Sequence, residues 1–210
     1  MIATSLSLVE QSALAFDEFL VRYPDDNRFE LIDGEVFDLE PTGEHEEVAA
    51  FIDRKINVQI DLLNLSYFIL QRGNLKPLGN FTEFRPDIMV VDRQALSAEP
   101  LWANESILTL GSSVKFVAEV VSTNWQNDYA RKLDDYALMG IPEYWIADYE
   151  GFGGVKHLGY PKQPALMICT LAGNEYDTQL LRGDDEIVSS TFSGLKLTAE
   201  QVLGAGRAST

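Results

Sequence analysis

The chain has 210 residues, 46% of them hydrophobic, which is enough to bury one good core and makes a single domain the expectation. Acidic residues outnumber basic ones 33 to 16, a formal charge of −17 that argues against a protein gripping nucleic acid through a broad basic surface. The single cysteine, Cys169, excludes an intramolecular disulfide and suits a reducing, cytoplasmic compartment; no apolar run approaches the ~18 residues of a membrane span, and residues 1–10 lack the basic region and cleavage site of a signal peptide.

In chain order, Phe16, Phe19 and Leu20 share one face of a short helix that should end near Tyr23 and Pro24. Residues 28–37 alternate around Asp33-Gly34, a hairpin signal. A longer helix is predicted from about 44 to 63, starting at Thr42 or Gly43, with Val48, Ile52, Ile56, Ile60 and Leu63 as its buried stripe. Residues 67–71 read as a strand, and Gly73, Pro77 and Gly79 mark a loop before the strand that carries Asp87. Residues 92–113 read as a surface excursion between two adjacent strands. The strand holding Glu119 follows, then a loop over 122–127 and a helix from about 128 to 139. Gly140 closes that helix and Pro142 prevents its continuation. A strand over 143–148, three more β segments within 153–190 and a short helix over 198–203 complete an α/β order with a mixed sheet. The domain is expected to span 14–203, with 1–13 and 204–210 as tails.

Asp87 precedes Ile88, Met89 and Val90, and Glu119 lies among Val117, Ala118, Val120 and Val121. A carboxylate in an apolar strand is costly unless a cation, a proton or hydrogen bonds compensate it. Two of them on neighbouring strands suit a hard divalent ion. Asp128, Lys132 and Tyr136 are spaced i, i+4, i+8 and lie along one side of their helix. Two readings of Asp128 and Lys132 stand at this point. One is an exposed ion pair worth ~0.3–0.5 kcal/mol. The other is a charge brought to the sheet edge, with Lys132 at the rim of the buried side beside Leu133, Ala137 and Leu138. Glu30 and Glu35 read as solvent-facing hairpin residues, with an accessory ligand role as the alternative. His45 reads as a hydrogen-bonded structural histidine, and Tyr136 as packing with its hydroxyl at a pocket rim. Trp102, Trp125 and Trp145 are assigned to core or interface, and His157 has no evident partner. Arg72, Lys76, Arg85 and Arg131 are the candidate phosphate contacts.

Six fragments carry a family resemblance in their order: Phe29 to Glu35, Gly43-Glu44-His45, Arg85-Pro86-Asp87, Ala118 to Ser122, the Asp128–Lys132–Tyr136 stripe, and Gly140 to Asp148. Together they resemble the PD-(D/E)XK restriction-endonuclease-like superfamily, and more closely its Uma-type endonuclease family, over nearly the whole chain. The resemblance implies a mixed β-sheet flanked by helices, with extra strands in the C-terminal half. It implies Mg²⁺ or Mn²⁺ held by Asp87, Glu119 and the carbonyl of Val120, with His45 beside the metal pocket. The superfamily's usual lysine position is Val121 here, so Lys132 inherits that role. The function implied is metal-dependent hydrolysis of DNA, with weak DNA binding and a homodimer. Two alternatives are a nuclease-fold scaffold without turnover and a hydrolase of a small phosphorylated metabolite, which a narrow, acid-rimmed pocket would favour.

Overall fold

The computed structural model describes residues 13–23 and 28–207. Residues 1–10, read above as lacking a signal peptide, and Pro24, read as a helix stop, lie outside them. Helix α1 (Phe16–Arg22) buries Phe16 and Phe19 against a hairpin of β1 (Phe29–Ile32) and β2 (Glu35–Asp38). The turn between them holds Asp33 at φ 51° and Gly34 at φ 83°, the paired positive angles that a two-residue hairpin turn requires. Helix α2 (Gly43–Leu62) starts at Thr42, whose hydroxyl accepts from the His45 amide. Val48, Ile52, Ile56 and Ile60 form its buried stripe. Leu63, expected to extend that stripe, is exposed because the helix ends before it.

Strands β3 (Tyr67–Ile69), β4 (Asn74–Leu75), β5 (Ile88–Asp92), β6 (Ile107–Leu108) and β7 (Val114–Val120) follow. Residues 92–113 are more than a surface excursion. β6 pairs in parallel with β4, Ile107 and Leu108 are buried, and the buried Glu99 carboxylate accepts from the amides of Thr109 and Leu110. After β7, a π-helical turn (Asn127–Arg131) runs into α3 (Lys132–Met139), which Gly140 closes at φ 83°. Leu138, expected on the buried side of α3, is 74% exposed. Next come β8 (Glu143–Asp148), α4 (Val155–Leu158), β9 (Ala165–Ala172), β10 (Glu175–Leu181) and α5 (Ala199–Leu203). The three β segments expected within 153–190 are two strands preceded by α4. Asp148 accounts for the difference: its carboxylate accepts from the Phe152 and Gly153 amides and curls the chain out of an extended path.

Six strands form the main sheet in the order β10-β9-β8-β7-β5-β3. β7 and β8 are parallel, and the other neighbours are antiparallel. The parallel pair requires a crossover, which the π-helical turn and α3 supply. One face, with Val90, Phe116, Trp145 and Ile168, packs under α2 and α5; the other, with Met89, Val117, Tyr144 and Met167, packs under α3. The result is the mixed sheet flanked by helices that the sequence implied.

Candidate active site

Strand register brings the two acidic residues together. Ile88 of β5 stands opposite Ala118 of β7, so Asp87, one residue before β5, falls across from Glu119. Side chains alternate along a strand, and Val117, Glu119 and Val121 therefore face α3. The Val120 amide donates to Asp87 Oδ2 at 2.7 Å, and the Asp87 amide lies 3.4 Å from Glu119 Oε2. Asp87 is not set into a buried strand as expected. Its side chain keeps 25% exposure at a cleft mouth, whereas that of Glu119 keeps only 4%.

Lys132 sits beneath this pair. Its ammonium lies 3.1 Å from Glu119 Oε1, 3.2 Å from Asp128 and 3.4 Å from Glu30, with the side chain 4% exposed. The surface ion-pair reading is thereby excluded, and Lys132 lies at the base of the cleft rather than at its rim. Its three ion pairs match the three donors an ammonium carries. The Tyr136 hydroxyl, also fully buried, donates to Glu119 Oε1 at 2.8 Å. The π-helical turn sets Asp128 above Lys132, a local irregularity frequent at functional sites.

Glu30 corrects the solvent-facing reading: it is buried and faces Lys132, whereas Glu35 on the partner strand is exposed and takes no part. His45 is the hydrogen-bonded structural histidine of the first reading, and it also stands beside Asp87. Its Nε2 lies 2.9 Å from the Val120 carbonyl and 3.4 Å from Asp87 Oδ2. A carbonyl only accepts, so Nε2 carries the proton. Nδ1 is buried without a hydrogen-bond partner.

Burial pushes the Glu119 pKa well up; the Lys132 charge opposes this, and Asp87, Asp128 and Glu30 add to the rise. Burial raises Asp128 to about 6 against the opposing pull of Lys132, and Glu30 rises for the same reasons. Burial would depress the Lys132 ammonium, but Glu119, Glu30 and Asp128 outweigh it and hold it well above its usual range. Lys132 therefore stays charged, while burial draws the pKa values of the acids around it upward. For His45, burial acts downward, and the hydrogen bond and charge of Asp87 carry the pKa above its ordinary value. Burial, followed by the Glu119 charge, raises the Tyr136 phenol.

The donor chemistry fits a hard divalent cation. Asp87, Glu119 and the Val120 carbonyl all offer oxygen, and three carboxylates surround a single ammonium. Among the described residues no three His, Cys, Asp or Glu side chains form a ready cation cage. His45 already bonds that oxygen and would share it with an ion. The cleft above has a volume of about 170 Å³; Thr42, Asn124, Tyr149 and Phe152 line its walls, and Asp38 and Glu40 lie at its outer side, both paired with Arg28.

Of the candidate phosphate contacts, Arg131 is tied to Asp33 and Asp135, each at 3.0 Å, Arg85 to Glu83 at 3.3 Å, and Lys76 to the Gly79 carbonyl at 2.6 Å. Arg72 is exposed on the turn after β3. Trp145 is buried against Phe116, Trp125 packs on Tyr129, and Trp102 meets Phe68 edge-on. His157 does have a partner: its ring lies 4.7 Å from that of Tyr129. Sequence reasoning missed Glu83, which is fully buried with Oε2 unpartnered and raised to about 7 by burial. The only signal was an acid between Phe81 and Phe84, without a strand pattern to weight it.

No helix among the described residues is long and apolar enough to cross a membrane. The family model described as "Uma2: Putative restriction endonuclease" matches residues 16–200. No curated protein matches the chain. A solved structure from Anabaena variabilis ATCC 29413, described as "a putative nuclease belonging to DUF820", is similar in fold. It is 16% identical, with a TM-score of 0.68, and the match covers 92% of this chain and 99% of that one. With a match over nearly the whole domain, and with its expected acidic pair and lysine gathered at the adjoining ends of β5 and β7, the chain belongs to the Uma2 restriction-endonuclease family.

Proposed function

We propose that this protein is a Mg²⁺- or Mn²⁺-dependent endonuclease that hydrolyses phosphodiester bonds in DNA. The observation that carries the reading is the buried Lys132 ammonium, 3.1 Å from Glu119, whose other carboxylate oxygen lies 3.4 Å from the Asp87 amide. Asp87, Glu119 and the Val120 carbonyl would hold the ion. When bound, such an ion lowers the pKa of its water and offsets charge on the phosphoryl oxygens. Lys132 fixes the Glu119 carboxylate through Oε1 and, with one of its other ion pairs released, orients the attacking water. Tyr136 keeps Glu119 from rotating by donating to the same oxygen. Asp128 and Glu30 hold Lys132 charged and in place. The proposal includes a homodimer in the cytoplasm, for which sedimentation equilibrium is the check; a monomer at working concentration would remove the dimer.

A second reading, hydrolysis of a small phosphorylated metabolite, is favoured by one observation: the cleft is small and carries Asp38 and Glu40 at its outer side. Single-turnover assays with Mn²⁺ on plasmid, linear DNA and a panel of phosphate esters separate the two. Glu119→Gln is the control. Cleavage of DNA that Glu119→Gln loses supports the nuclease. Hydrolysis of the esters alone moves the site to metabolites, and no turnover on any of them leaves a nuclease-fold scaffold.

A further inference from the structure

The catalytic cleft does not end at Asp87. A second, wider groove lies between α2 and the turn after β3, and the two share Leu39, Pro41, Arg85 and Asp87 as common walls. The combined channel runs from the loop at Ser122 to Asn124, over Glu119 and Asp87, and out past Arg72. Ala49 and Ala50 of α2 line the second groove and leave it without bulk. Arg85 forms part of the wall where the halves meet, its side chain 8% exposed, with the guanidinium held by Glu83 and set 5.7 Å from the Phe19 ring. Arg72 stands in the far half and makes no ion pair among the described residues.

We infer that this channel is the track for one strand of polynucleotide, with Arg72 as its exposed phosphate contact, and that an intact duplex is not the substrate. For its catalytic end the inference rests on the nuclease reading above. Three features point to a single strand. Glu119 and Lys132 are recessed, each side chain 4% exposed. Bending duplex DNA far enough to bring one phosphodiester into such a recess costs on the order of 1–6 kcal/mol, whereas a single strand bends freely. Acidic residues also line both halves of the channel, Asp38 and Glu40 in one, Glu46 and Asp53 in the other. Those carboxylates repel each row of phosphates brought near them, and a duplex brings two rows where a single strand brings one. Finally, Tyr149 and Phe152 line the cleft beside the amide of Asn124, a surface on which an unstacked base can stack and hydrogen-bond.

One exposed phosphate contact predicts weak binding with a shallow salt dependence, a slope of about −0.7 on a logarithmic scale for single strands. The test is fluorescence anisotropy with the full chain and Ca²⁺. The probes are a labelled single-stranded DNA, the same sequence as RNA, and the DNA duplex. The expected result is tighter binding of a single strand than of the duplex, the RNA arm identifying which polymer fits. Arg72→Ala should weaken single-strand binding on the order of tenfold, the loss expected for one charged contact, and lower the salt slope by ~0.7. Lys196→Ala, which removes the same charge from an exposed site outside the channel, should leave binding as it is. Equal or tighter duplex binding, no single-strand binding, or an Arg72→Ala effect no larger than that of Lys196→Ala would overturn the inference. Hydrolysis of bis(p-nitrophenyl) phosphate by the wild type with Mn²⁺ is measured alongside. If Arg72-dependent single-strand binding is found without diester hydrolysis, the channel stands and the nuclease reading falls.

Discussion

Lys132 faces three buried carboxylates, so its removal has structural as well as chemical consequences. Truncating one partner of a buried charge cluster leaves the others uncompensated, at a cost of about 3–5 kcal/mol. Lys132→Ala should therefore lose that much stability at neutral pH in urea unfolding, and lose turnover under conditions where it is still folded. Lys132→Arg should restore part of the stability but little of the rate, because a planar guanidinium does not fit a site built around a compact ammonium. If Lys132→Ala melts like the wild type, the three ion pairs are not the structural centre described here. Glu83 gives a pH prediction of definite sign. Its folded pKa, about 7, lies above its ordinary value of 4.5, so the folded state holds the proton more tightly than the unfolded state. Its contribution to stability is greatest below the ordinary value and is lost as pH rises through about 7, by roughly 3 kcal/mol. Glu83→Gln stays neutral throughout and should gain on the wild type by about that amount between pH ~5 and ~8. Parallel stability curves for the two proteins would refute this.

Two elements set the site, and each has a single residue that tests its placement. Helix α2 delivers His45 to the Val120 carbonyl, and the Thr42 hydroxyl caps its first turn through the His45 amide itself. Thr42→Ala should cost about 1 kcal/mol, the usual value of a lost N-cap, and Thr42→Ser should recover most of it in urea melts. Helix α3 delivers Lys132 and Tyr136, and its far end rests on Gly111. A methyl group there would lie 1.9 Å from the Met139 carbonyl oxygen, so backbone must shift to admit it. Gly111→Ala should destabilise by about 1–3 kcal/mol, as overpacking does. It should also slow turnover by displacing the helix. A silent Gly111→Ala would mean that α3 is not held from that end.

At the scale of the molecule, the metal site proposed at the junction of β5 and β7 would couple ion binding to the whole fold. An ion bound only to the folded state stabilises by about 2.7 kcal/mol at a hundredfold excess over Kd. For a domain of this size, each kcal/mol is worth roughly 2–4 °C in melting temperature. Mn²⁺ should therefore raise the wild-type melting temperature by roughly 5–10 °C, and should leave Asp87→Asn unmoved. An equal rise in both proteins would place the ion elsewhere.

The sequence by itself determined what depends on neighbours a few residues apart. The Asp33-Gly34 turn, the α2 stripe from Val48 to Ile60, the Gly140 stop and the side of α3 that carries Lys132 and Tyr136 follow from turn chemistry and helical spacing. The acids of the site were visible for the same reason, since Asp87 and Glu119 interrupt or border apolar strands. Depth was not visible. Glu30 and Glu35 sit on facing strands of one hairpin with similar local patterns, yet one is buried against Lys132 and the other is exposed. Glu83 and Lys132 are buried for a like reason, because residues far away in sequence cover them. Burial of a polar group is decided by which distant elements close over it and bring its partners. Strand register and helix packing settle that, and local periodicity does not reach so far.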